Sequence, residues 1–557
     1  MDSQNTINTL IELAEKNIRD GSVQFAHTLL LQCLDIDPES IRANELLADL
    51  ALNEGNIGLA IKRLENACVH EMASAESLHK LASCYFSIGD IQHSIEALER
   101  SLIKKESFEV LHDLGVTLSL AGRHEDGIER LEQAVAIKQV PEAYYNIGRI
   151  CDELRLYDKG AAAYQMALKL NPDFVEAWVN FGVVMYEQGR LDDALFAYSQ
   201  ALKINPNFLD ALLNRGNALY RQQRFSESID AYDAAIAIDG NFADAHFNKS
   251  MPLLLLGDFQ SGFDEYEWRL QCPSLQETAR GIHRPTWHGE VLRGKTILLY
   301  SEQGYGDSIQ FCRYVKLVSE LGAKVILEVQ EPLVSLLSNL EGVSQVFVKG
   351  EIPPNHDYQC ALLSLPRIFK TTIDTISSPG KYIECDSRLA TQWQKRLGTR
   401  VRPRIGIAWR GNRKHLNDGN RNILVGDLLR SLPKNFDYVS LQKEMIDEDE
   451  IALRDYPHLL RFEADLQSFS DTAALINCLD LVITVDTSIA HLSCALGKTT
   501  YILLSSPPDW RWLLERSDSP WYSSAKLYRQ KVLNDWNGVL SEIQEDIQIA
   551  FESKHLK

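Results

Sequence analysis

The sequence predicts a chain of two parts, an array of paired α-helices over residues 1–276 and an α/β region over residues 277–557. A 34-residue period runs through the first part, which is typical of repeated antiparallel helix pairs. The period ends near residue 276, where short apolar runs begin to alternate with helical patterns, as in a parallel sheet. Charge divides the chain at the same place. Residues 1–276 hold 23 Lys and Arg against 42 Asp and Glu, and the remainder is nearly neutral.

Eight repeats make up the first part. They begin at about Ile7, Ile41, Ala75, Phe108, Pro141, Val175, Leu209 and Ala243. A small residue recurs at the eighth position, as at Gly182, and a large residue at the twenty-fourth, as at Tyr198. Small side chains let the two helices approach, and large ones fill the space between them. This is the tetratricopeptide pattern, and it predicts an α-helical tetratricopeptide solenoid with a curved surface for binding and no chemistry of its own.

Asparagine recurs at the sixth position of the first helix in four successive repeats. These residues are Asn146, Asn180, Asn214 and Asn248. In such solenoids this position tends to face the inner groove, where side-chain amides would hydrogen-bond the backbone of an extended acceptor peptide. Alternatively, the same amides satisfy turn or inter-repeat hydrogen bonds.

Composition excludes several classes of protein. The acidic first part, in a chain of net charge −20, would repel nucleic acid and anionic membranes. Ten cysteines stand singly without a Cys-x-x-Cys pair, which predicts buried free thiols and no zinc or redox motif. The first residues lack the pattern of a signal peptide, and no apolar run approaches the length of a membrane span. We therefore expect a cytoplasmic protein without a nucleic-acid partner.

Two series of strands and helices are predicted in the second part. Strands are expected at 296–300, 324–329, 346–348 and 361–365, and then at 404–409, 438–441, 481–485 and 501–504. Helical patterns at 308–321, 332–340, 472–479 and 488–496 alternate with them. These series predict two Rossmann-like lobes, residues 277–390 and 391–557, with a cleft between them.

The loop after the first predicted strand carries a carboxylate at a helix start. Gly304 and Gly306 suit a tight backbone turn before and beside Asp307. Ile309 stands where a dinucleotide fingerprint needs its third glycine, and the Lys-Ser/Thr pair of a phosphate-binding P-loop is absent. Asp307 is either a helix cap or a general base that points into the cleft.

A second loop joins the predicted strand at 481–485 to a helix of small residues. It contains Asp486, Thr487, Ser488, Ile489 and His491. Unpaired N–H groups at this helix start, helped by the helix dipole, would bind the phosphates of a donor. The alternatives are helix capping for the acid and the threonine, and a satisfied core position for the histidine.

A third loop follows the predicted strand at 404–409 and is rich in basic groups. Arg410, Arg413 and Lys414 surround Gly411, and such a loop suits a diphosphate. An exposed, solvated loop is the alternative. No Asp-x-Asp pair lies on a suitable loop, so we expect no metal ion.

The first two of these loops resemble those of family 9 glycosyltransferases, the bacterial heptosyltransferase group with the GT-B fold. The resemblance covers roughly residues 294–530, and Ser488 stands where that family commonly has glycine. It implies a GT-B fold, with Asp307 as the base and the loop from Asp486 as the donor site. It also implies nucleotide contacts from Gln442 and Lys443, and an inverting transfer that needs no cofactor beyond the nucleotide-sugar donor.

Two further segments, Pro-Pro-Asp-Trp-Arg-Trp at 507–512 and Asp-Ser-Pro-Trp-Tyr at 518–522, resemble bacterial tetratricopeptide proteins with a C-terminal glycosyltransferase domain. Some proteins of that group modify flagellin or other proteins. The resemblance implies a glycosyltransferase that acts on a hydroxyl of a protein recruited by the repeats. Two alternatives stay open: transfer to lipopolysaccharide or another glycan, with the repeats used for assembly into a homo-oligomer, and a non-catalytic interaction scaffold.

Overall fold

The computed structural model describes residues 2–69, 72–273, 275, 284–378, 380–411 and 418–555. The chain divides into two compact units, Met1–Ala218 and Leu219–Lys557. The division falls inside the seventh repeat, so the last helices of the repeat pattern belong to the same unit as the α/β region. No helix within the described ranges is long and apolar enough to cross a membrane.

Paired helices form the first unit. They are α1 (Asp2–Arg19), α2 (Val23–Ile36), α3 (Ile41–Asn53), α4 (Ile57–Cys68), α5 (Ala75–Ser87), α6 (Ile91–Lys104), α7 (Phe108–Leu120), α8 (His124–Ile137), α9 (Pro141–Glu153), α10 (Tyr157–Leu170), α11 (Val175–Glu187), α12 (Leu191–Ile204) and α13 (Leu209–Arg221), which crosses the boundary. The first helices of the second to seventh repeats begin at the predicted residues. Helix α1 begins at Asp2 rather than Ile7, because no glycine or proline in residues 2–6 stops it.

The glycine at the eighth position of a repeat packs directly against the tyrosine at the twenty-fourth. A Cβ atom on Gly182 would lie 2.5 Å from the ring of Tyr198, and one on Gly148 would lie 2.5 Å from the ring of Tyr164. Both tyrosines are at most 1% exposed, so neither ring has room to move away. These contacts explain why glycine stands at the eighth position in these two repeats.

Replacing Gly182 by Ala is therefore expected to destabilise the repeat array by about 1–3 kcal/mol, the usual cost of overpacking a core. Gly58 is the matched control, because it also lies in a helix but a Cβ there meets nothing within 4 Å. Gly58→Ala should leave stability unchanged or raise it by less than about 1 kcal/mol. Urea unfolding of the full chain, followed by helical circular dichroism, measures both. Equal midpoints for the two variants would contradict the packing described here.

The second unit begins with helices that continue the repeat pattern. They are α14 (Phe225–Ile238), α15 (Ala243–Leu255) and α16 (Phe259–Tyr266), followed by a 3₁₀ turn over Glu267–Leu270. Phe259, Phe263 and Tyr266 on α16 are each at most 3% exposed, and all three rings lie against Trp510 with centroids 5.6–6.4 Å apart. The last repeat thus shares one hydrophobic core with the α/β region.

Two parallel sheets follow. The first contains β1 (Thr296–Tyr300), α17 (Tyr305–Phe311), α18 (Tyr314–Glu320), β2 (Lys324–Val329), α19 (Glu331–Leu337), β3 (Val343–Val348), β4 (Tyr358–Ala361) and α20 (Leu365–Ile368), and α21 (Ser387–Arg396) comes after it along the chain. Its strand order is β3-β2-β1-β4, and every pair is parallel. Parallel strands joined by helices confirm the α/β prediction for this part.

The second sheet has five strands. Its elements are β5 (Arg404–Ala408), α22 (Asp418–Arg421), α23 (Val425–Ser431), β6 (Asp437–Ser440), α24 (Asp447–Leu453), α25 (Phe469–Asn477), β7 (Leu481–Val485), α26 (Ser488–Ala495), β8 (Thr500–Leu504), β9 (Ala525–Arg529) and α27 (Asn537–His555). The order is β6-β5-β7-β8-β9, again with every pair parallel. Strands β5, β7 and β8 are buried throughout, as expected for central strands covered on both faces.

Three sequence predictions for this region are corrected. The strand expected at 361–365 ends at Ala361, because a 3₁₀ turn and then α20, with Pro366 in its first turn, follow at once. The helix expected at 308–321 is two short helices, α17 and α18. Strand β9 was not predicted, because Lys526 and Arg529 make its sequence resemble a polar segment rather than a sheet strand.

The strand orders place the candidate loops together at one end of each sheet. In the first sheet the order reverses between β1 and β4, and in the second it reverses between β5 and β7. Ligands of open α/β sheets bind beyond the carboxyl ends of strands at such reversals. The loops after β1, β5 and β7 are therefore the places where this fold favours a site.

Candidate functional site

Asp307 lies in the first turn of α17, after the N-cap residue Gly304. Its Oδ2 accepts a hydrogen bond of 2.8 Å from the backbone N–H of Gly304. The carboxylate therefore has the capping contact that the sequence left open, and it stays beyond the carboxyl end of β1. A carboxylate oxygen can accept more than one hydrogen bond, so the capping contact by itself does not exclude a catalytic role for Asp307.

The loop after β7 is capped by a hydroxyl. Thr487 is the N-cap of α26, and its Oγ1 accepts a hydrogen bond of 3.2 Å from the N–H of Ile489. Asp486, Thr487, Ser488 and Ile489 are all partly exposed. Enclosure raises the pKa of Asp486, and the carboxylate of Asp509 raises it further. Capping is thus confirmed for Thr487, while a donor-binding role for the loop stays a prediction.

Helices α17 and α26 approach each other closely at one glycine. A Cβ on Gly306 would lie 2.8 Å from Cδ2 of His491, closer than a side chain tolerates. Neither Gly304 nor Gly306 adopts a positive φ, so the tight turn expected here does not use the left-handed region that favours glycine. For Gly306 the physical reason for a glycine is the contact with α26. The two loops predicted separately from the sequence therefore meet in space.

His491 is enclosed at this junction. It is 6% exposed, its Nδ1 lies 2.9 Å from the hydroxyl of Tyr522, and its ring stacks on Trp512. Burial, and then the charge of Arg511, lowers the pKa of His491 to about 3. The imidazole is therefore neutral at pH 7 and offers a phosphate no positive charge, which matches the alternative of a satisfied core histidine.

Arg511 joins the loops of the two sheets. Its Nη2 donates to Oδ1 of Asp307 at 2.5 Å, and its Nε donates to Oε1 of Gln310 at 2.7 Å. Its Nη1 lies 3.0 and 3.1 Å from the two carboxylate oxygens of Asp509. The guanidinium carbon lies 4.4 Å from the centroid of the Trp510 ring. This side chain is only 8% exposed, so its charge is held by two carboxylates away from solvent.

Sequence reasoning missed Arg511, although it used the surrounding 507–512 segment for the resemblance. Burial raises the pKa of Asp509, but the Arg511 guanidinium outweighs it and the net direction is downward. A recognisable signal was present, because an arginine between two tryptophans beyond a buried strand must find acidic partners.

The loop after β5 contributes a second buried cation. Nε of Arg410 lies 3.1 Å from Oδ2 of Asp449, and the two side chains are 10% and 2% exposed. The backbone N–H of Arg410 donates to Oε1 of Gln442 at 3.3 Å, so these two predicted residues are neighbours. Arg413 and Lys414 lie outside the described residues. Arg410 is thus tied to a carboxylate rather than exposed, in contrast to the solvated-loop alternative.

Another arginine, Arg421, reaches the loop after β7. Its Nη1 donates to the backbone carbonyl of Asp486 at 3.2 Å. A Cβ on Gly411 would meet the guanidinium of Arg421, so this side chain lies directly against the backbone of the loop. Lys443 is exposed. Arg421 was not among the predicted donor-site residues, although it stands in the same basic segment as Arg410.

The asparagine row makes contacts between repeats. Nδ2 of Asn146 lies 3.1 Å from Nε2 of His112, and Nδ2 of Asn180 donates to the hydroxyl of Tyr145 at 3.2 Å. Each partner lies one repeat earlier in the chain. At these two positions the amides bridge repeats, and binding of a peptide along the row stays a prediction. Elsewhere in the described ranges, no group of three His, Cys, Asp or Glu side chains is arranged to hold a metal ion.

Comparison with known proteins supports the repeats. Tetratricopeptide repeat models match residues 75–102, 141–174, 163–196, 184–223 and 216–249. Protein FlbA of Caulobacter vibrioides is 23% identical over 314 residues, which cover 50% of this chain and 50% of that protein. The chain thus spans about half the length of this curated relative. The first half of the chain is a tetratricopeptide array, and arrays of this kind bind other proteins.

Three solved structures show similarity of limited extent. MamA, known from a crystal structure, is 25% identical in sequence to this chain. The match covers 28% of this chain and 94% of the MamA chain, with a TM-score of 0.28. YrrB, described as a TPR protein with an unusual peptide-binding site, is 18% identical to this chain. The match covers 34% of this chain and 100% of YrrB, with a TM-score of 0.31. The C-terminal part of a TPR protein from Cytophaga hutchinsonii is 14% identical to this chain. The match covers 42% of this chain and 96% of that structure, with a TM-score of 0.37.

Proposed function

We propose that the second unit is a GT-B glycosyltransferase that moves a sugar from a nucleotide-sugar donor to a hydroxyl of a protein recruited by the repeats. One observation carries this proposal: the loops after β1 and β7, which follow strand reversals of two parallel sheets, meet where Gly306 contacts His491. Such a junction has a carboxylate on one side and a helix N-terminus on the other. The resemblance of both loops to family 9 glycosyltransferases supports the same function.

The reaction assigns a role to each side of the junction. The acceptor oxygen forms a bond to the anomeric carbon of the donor sugar, and its proton passes to the carboxylate of Asp307. The bond between that carbon and the donor phosphate oxygen breaks, and the electron pair leaves with the nucleoside diphosphate. The N–H groups at Thr487 and Ser488 then stabilise the developing negative charge. In this scheme the transfer is inverting and needs neither a metal ion nor a further cofactor.

The repeats select the acceptor in this proposal. A tetratricopeptide array offers an extended surface, and the amides of the asparagine row would bind the backbone of a peptide without reading its sequence. The alternative acceptor is a glycan, with the repeats used for assembly as a homo-oligomer. In that case the asparagine row makes only its contacts between repeats.

A second candidate function is a non-catalytic scaffold. It is favoured by one observation: both oxygens of Asp307 already have partners, Gly304 and Arg511. A residue with purely structural contacts would look the same. The two functions differ in whether the α/β unit binds nucleotides.

Calorimetric titration of the full chain with nucleoside diphosphates separates these functions. Thr487→Ala keeps the backbone N–H but removes a hydroxyl that can donate to the phosphates, and it is expected to weaken binding about 10- to 100-fold, since a hydrogen bond to a charged group contributes roughly 1.5–3 kcal/mol. Ser468→Ala is the matched control, because Ser468 caps α25 in the same way but lies outside the proposed site. It should lose stability and keep its affinity. A chain that binds none of the uridine, guanosine, adenosine and cytidine diphosphates would favour the scaffold.

A further inference from the structure

We propose that Arg511 is a positioning residue that holds the Asp307 carboxylate in the orientation needed to accept the acceptor proton. This inference rests on the proposed function. It assigns to Arg511 a role that neither the repeat pattern nor the two predicted loops contain. The residue acts through Asp307 and does not itself exchange a proton with the substrate.

The guanidinium of Arg511 is held by contacts on every side. Each of its three nitrogens donates to a different side chain: Nε to Gln310, Nη1 to Asp509 and Nη2 to Asp307. The ring face of Trp510 lies 4.4 Å from the guanidinium carbon, and the side chain is 8% exposed. An arginine held on three sides and stacked on a fourth has one available orientation. Its contact with Asp307 is therefore a fixed one.

Asp307 is held from two directions. Arg511 contacts Oδ1 at 2.5 Å, and the N–H of Gly304 contacts Oδ2 at 2.8 Å. Two contacts at opposite oxygens fix the plane of the carboxylate. A carboxylate oxygen can accept more than one hydrogen bond, so neither of these two contacts by itself saturates the oxygen it reaches. Fixing a base in this way provides the alignment on which proton transfer during substitution depends.

Arg511 and its partners belong to elements of both sheets. Asp307 and Gln310 lie on α17, next to the first sheet, whereas Asp509 and Arg511 follow β8 of the second sheet. A buried cation with two carboxylate partners cannot be removed without leaving charge uncompensated. Arg511 thus ties the base on one sheet to the sheet that carries the proposed donor loop.

Neighbouring titratable groups must be considered before a pH profile is interpreted. The groups that face Arg511 and Asp307 from surrounding elements are Tyr266, Asp486, His491 and Asp509, with the cations Arg313 and Arg421 next to them. Burial raises the pKa of Tyr266 to about 12 and lowers that of His491 to about 3. Both are neutral near pH 7. Asp486, whose pKa is raised, is the neighbour that needs its own control.

The test compares Arg511→Gln, Arg511→Lys and Arg516→Gln in the full chain. Arg516 is the matched control, because it is also an arginine paired with a nearby aspartate, Asp518, but it is 38% exposed. We expect Arg511→Gln to lower kcat by 10- to 100-fold with the donor KM within threefold. Losing the cation also moves the acidic limb of the kcat profile to higher pH, because the base is then protonated more readily. Arg511→Lys should restore part of kcat and of the profile, and Arg516→Gln should change neither.

Asp486→Asn is also introduced into both the Arg511 chain and the Arg511→Gln chain. If the acidic limb still differs between these two chains, the shift belongs to the titration of Asp307. A profile that does not move in Arg511→Gln, or a lysine variant no better than the glutamine variant, overturns the positioning role.

A second measurement does not depend on activity. Melting temperatures of Arg511→Gln, Asp307→Asn and the double variant form a cycle, and contacting residues are expected to be non-additive. The double variant should melt no lower than the less stable single variant. Additive losses show that the two side chains do not interact and overturn the inference. A wild-type chain that turns over no donor, together with a coupled cycle, overturns the proposed function and with it the catalytic purpose of the pair.

Discussion

A fragment of residues 219–557 is expected to unfold in one cooperative transition, whereas a fragment of residues 277–557 is expected to remain unfolded or to aggregate. The two fragments differ by the helices that end the repeat pattern. The period alone predicts the opposite, since it assigns those helices to the array. The division of the chain into compact units at residue 218 is the reason for this expectation.

The size of the effect follows from the aromatic contacts. Removing residues 219–276 deletes Phe259, Phe263 and Tyr266, and it exposes Trp510, which is 2% exposed in the intact chain. Deleting one buried aromatic side chain costs about 3–5 kcal/mol. Three such losses match the whole stability of a typical domain, about 5–15 kcal/mol.

A buried charge adds to this cost. Nη2 of Arg269, which is 2% exposed, lies 2.8 Å from Oε2 of Glu302 in the loop after β1. The shorter fragment lacks Arg269 and leaves the carboxylate of Glu302 without this cation. Removing Arg269 therefore also destabilises the loop after β1, which precedes Asp307.

Differential scanning calorimetry of the two fragments measures this effect. In the full chain, Phe263→Ala removes one of these aromatic contacts by a single substitution. Phe25→Ala is the matched control, because Phe25 is 58% exposed. The first should lower stability by about 3–5 kcal/mol and the second by less than about 1 kcal/mol. A cooperative transition of residues 277–557 within a few degrees of that of residues 219–557 would show that the last repeat is dispensable for the α/β fold.

Asp307→Asn is expected to lower the rate of sugar transfer by about 10²- to 10⁴-fold while nucleotide affinity stays within threefold. Asparagine keeps the size of the side chain and an oxygen that accepts from the N–H of Gly304, so the cap of α17 survives. What is lost is the ability to take a proton from the acceptor hydroxyl, together with the ion pair to Arg511. Single-turnover kinetics and calorimetric binding separate the two quantities.

Asp518→Asn is the control for this substitution. Asp518 also pairs with an arginine, Arg516, but its side chain is 67% exposed and it lies outside the proposed site. Its transfer rate should equal that of the wild type. If Asp307→Asn instead transferred sugar at a rate within threefold of the wild type, Asp307 would have only its structural contacts with Gly304 and Arg511.

Sequence patterns predict the local elements of this chain well, because local residues determine them. The eighth-position glycines mark where helices touch, and the buried runs at β1, β2 and β7 coincide with the strands. Both candidate loops were recognised because strand ends and helix starts carry characteristic residues.

Features that depend on distant contacts were not predictable. Arg511 acquires its role from Asp307, which lies about 200 residues earlier in the chain, and no local pattern encodes that pairing. The extent of the compact unit that begins at Leu219 also depends on distant contacts, since Trp510 and the aromatic residues of α16 pack in one core. Tertiary packing there overrides a period that is locally unbroken.

The central claim is that the α/β unit turns over a nucleotide sugar with Asp307 as the base. The most direct measurement is the release of nucleotide from a panel of uridine, guanosine, adenosine and cytidine diphosphate sugars and cytidine monophosphate sugars. The full chain and its Asp307→Asn variant are compared, with products identified by mass spectrometry. We predict release from at least one donor by the wild type and at least a hundredfold less by the variant. No release from any donor, or equal release by both chains, would contradict the claim.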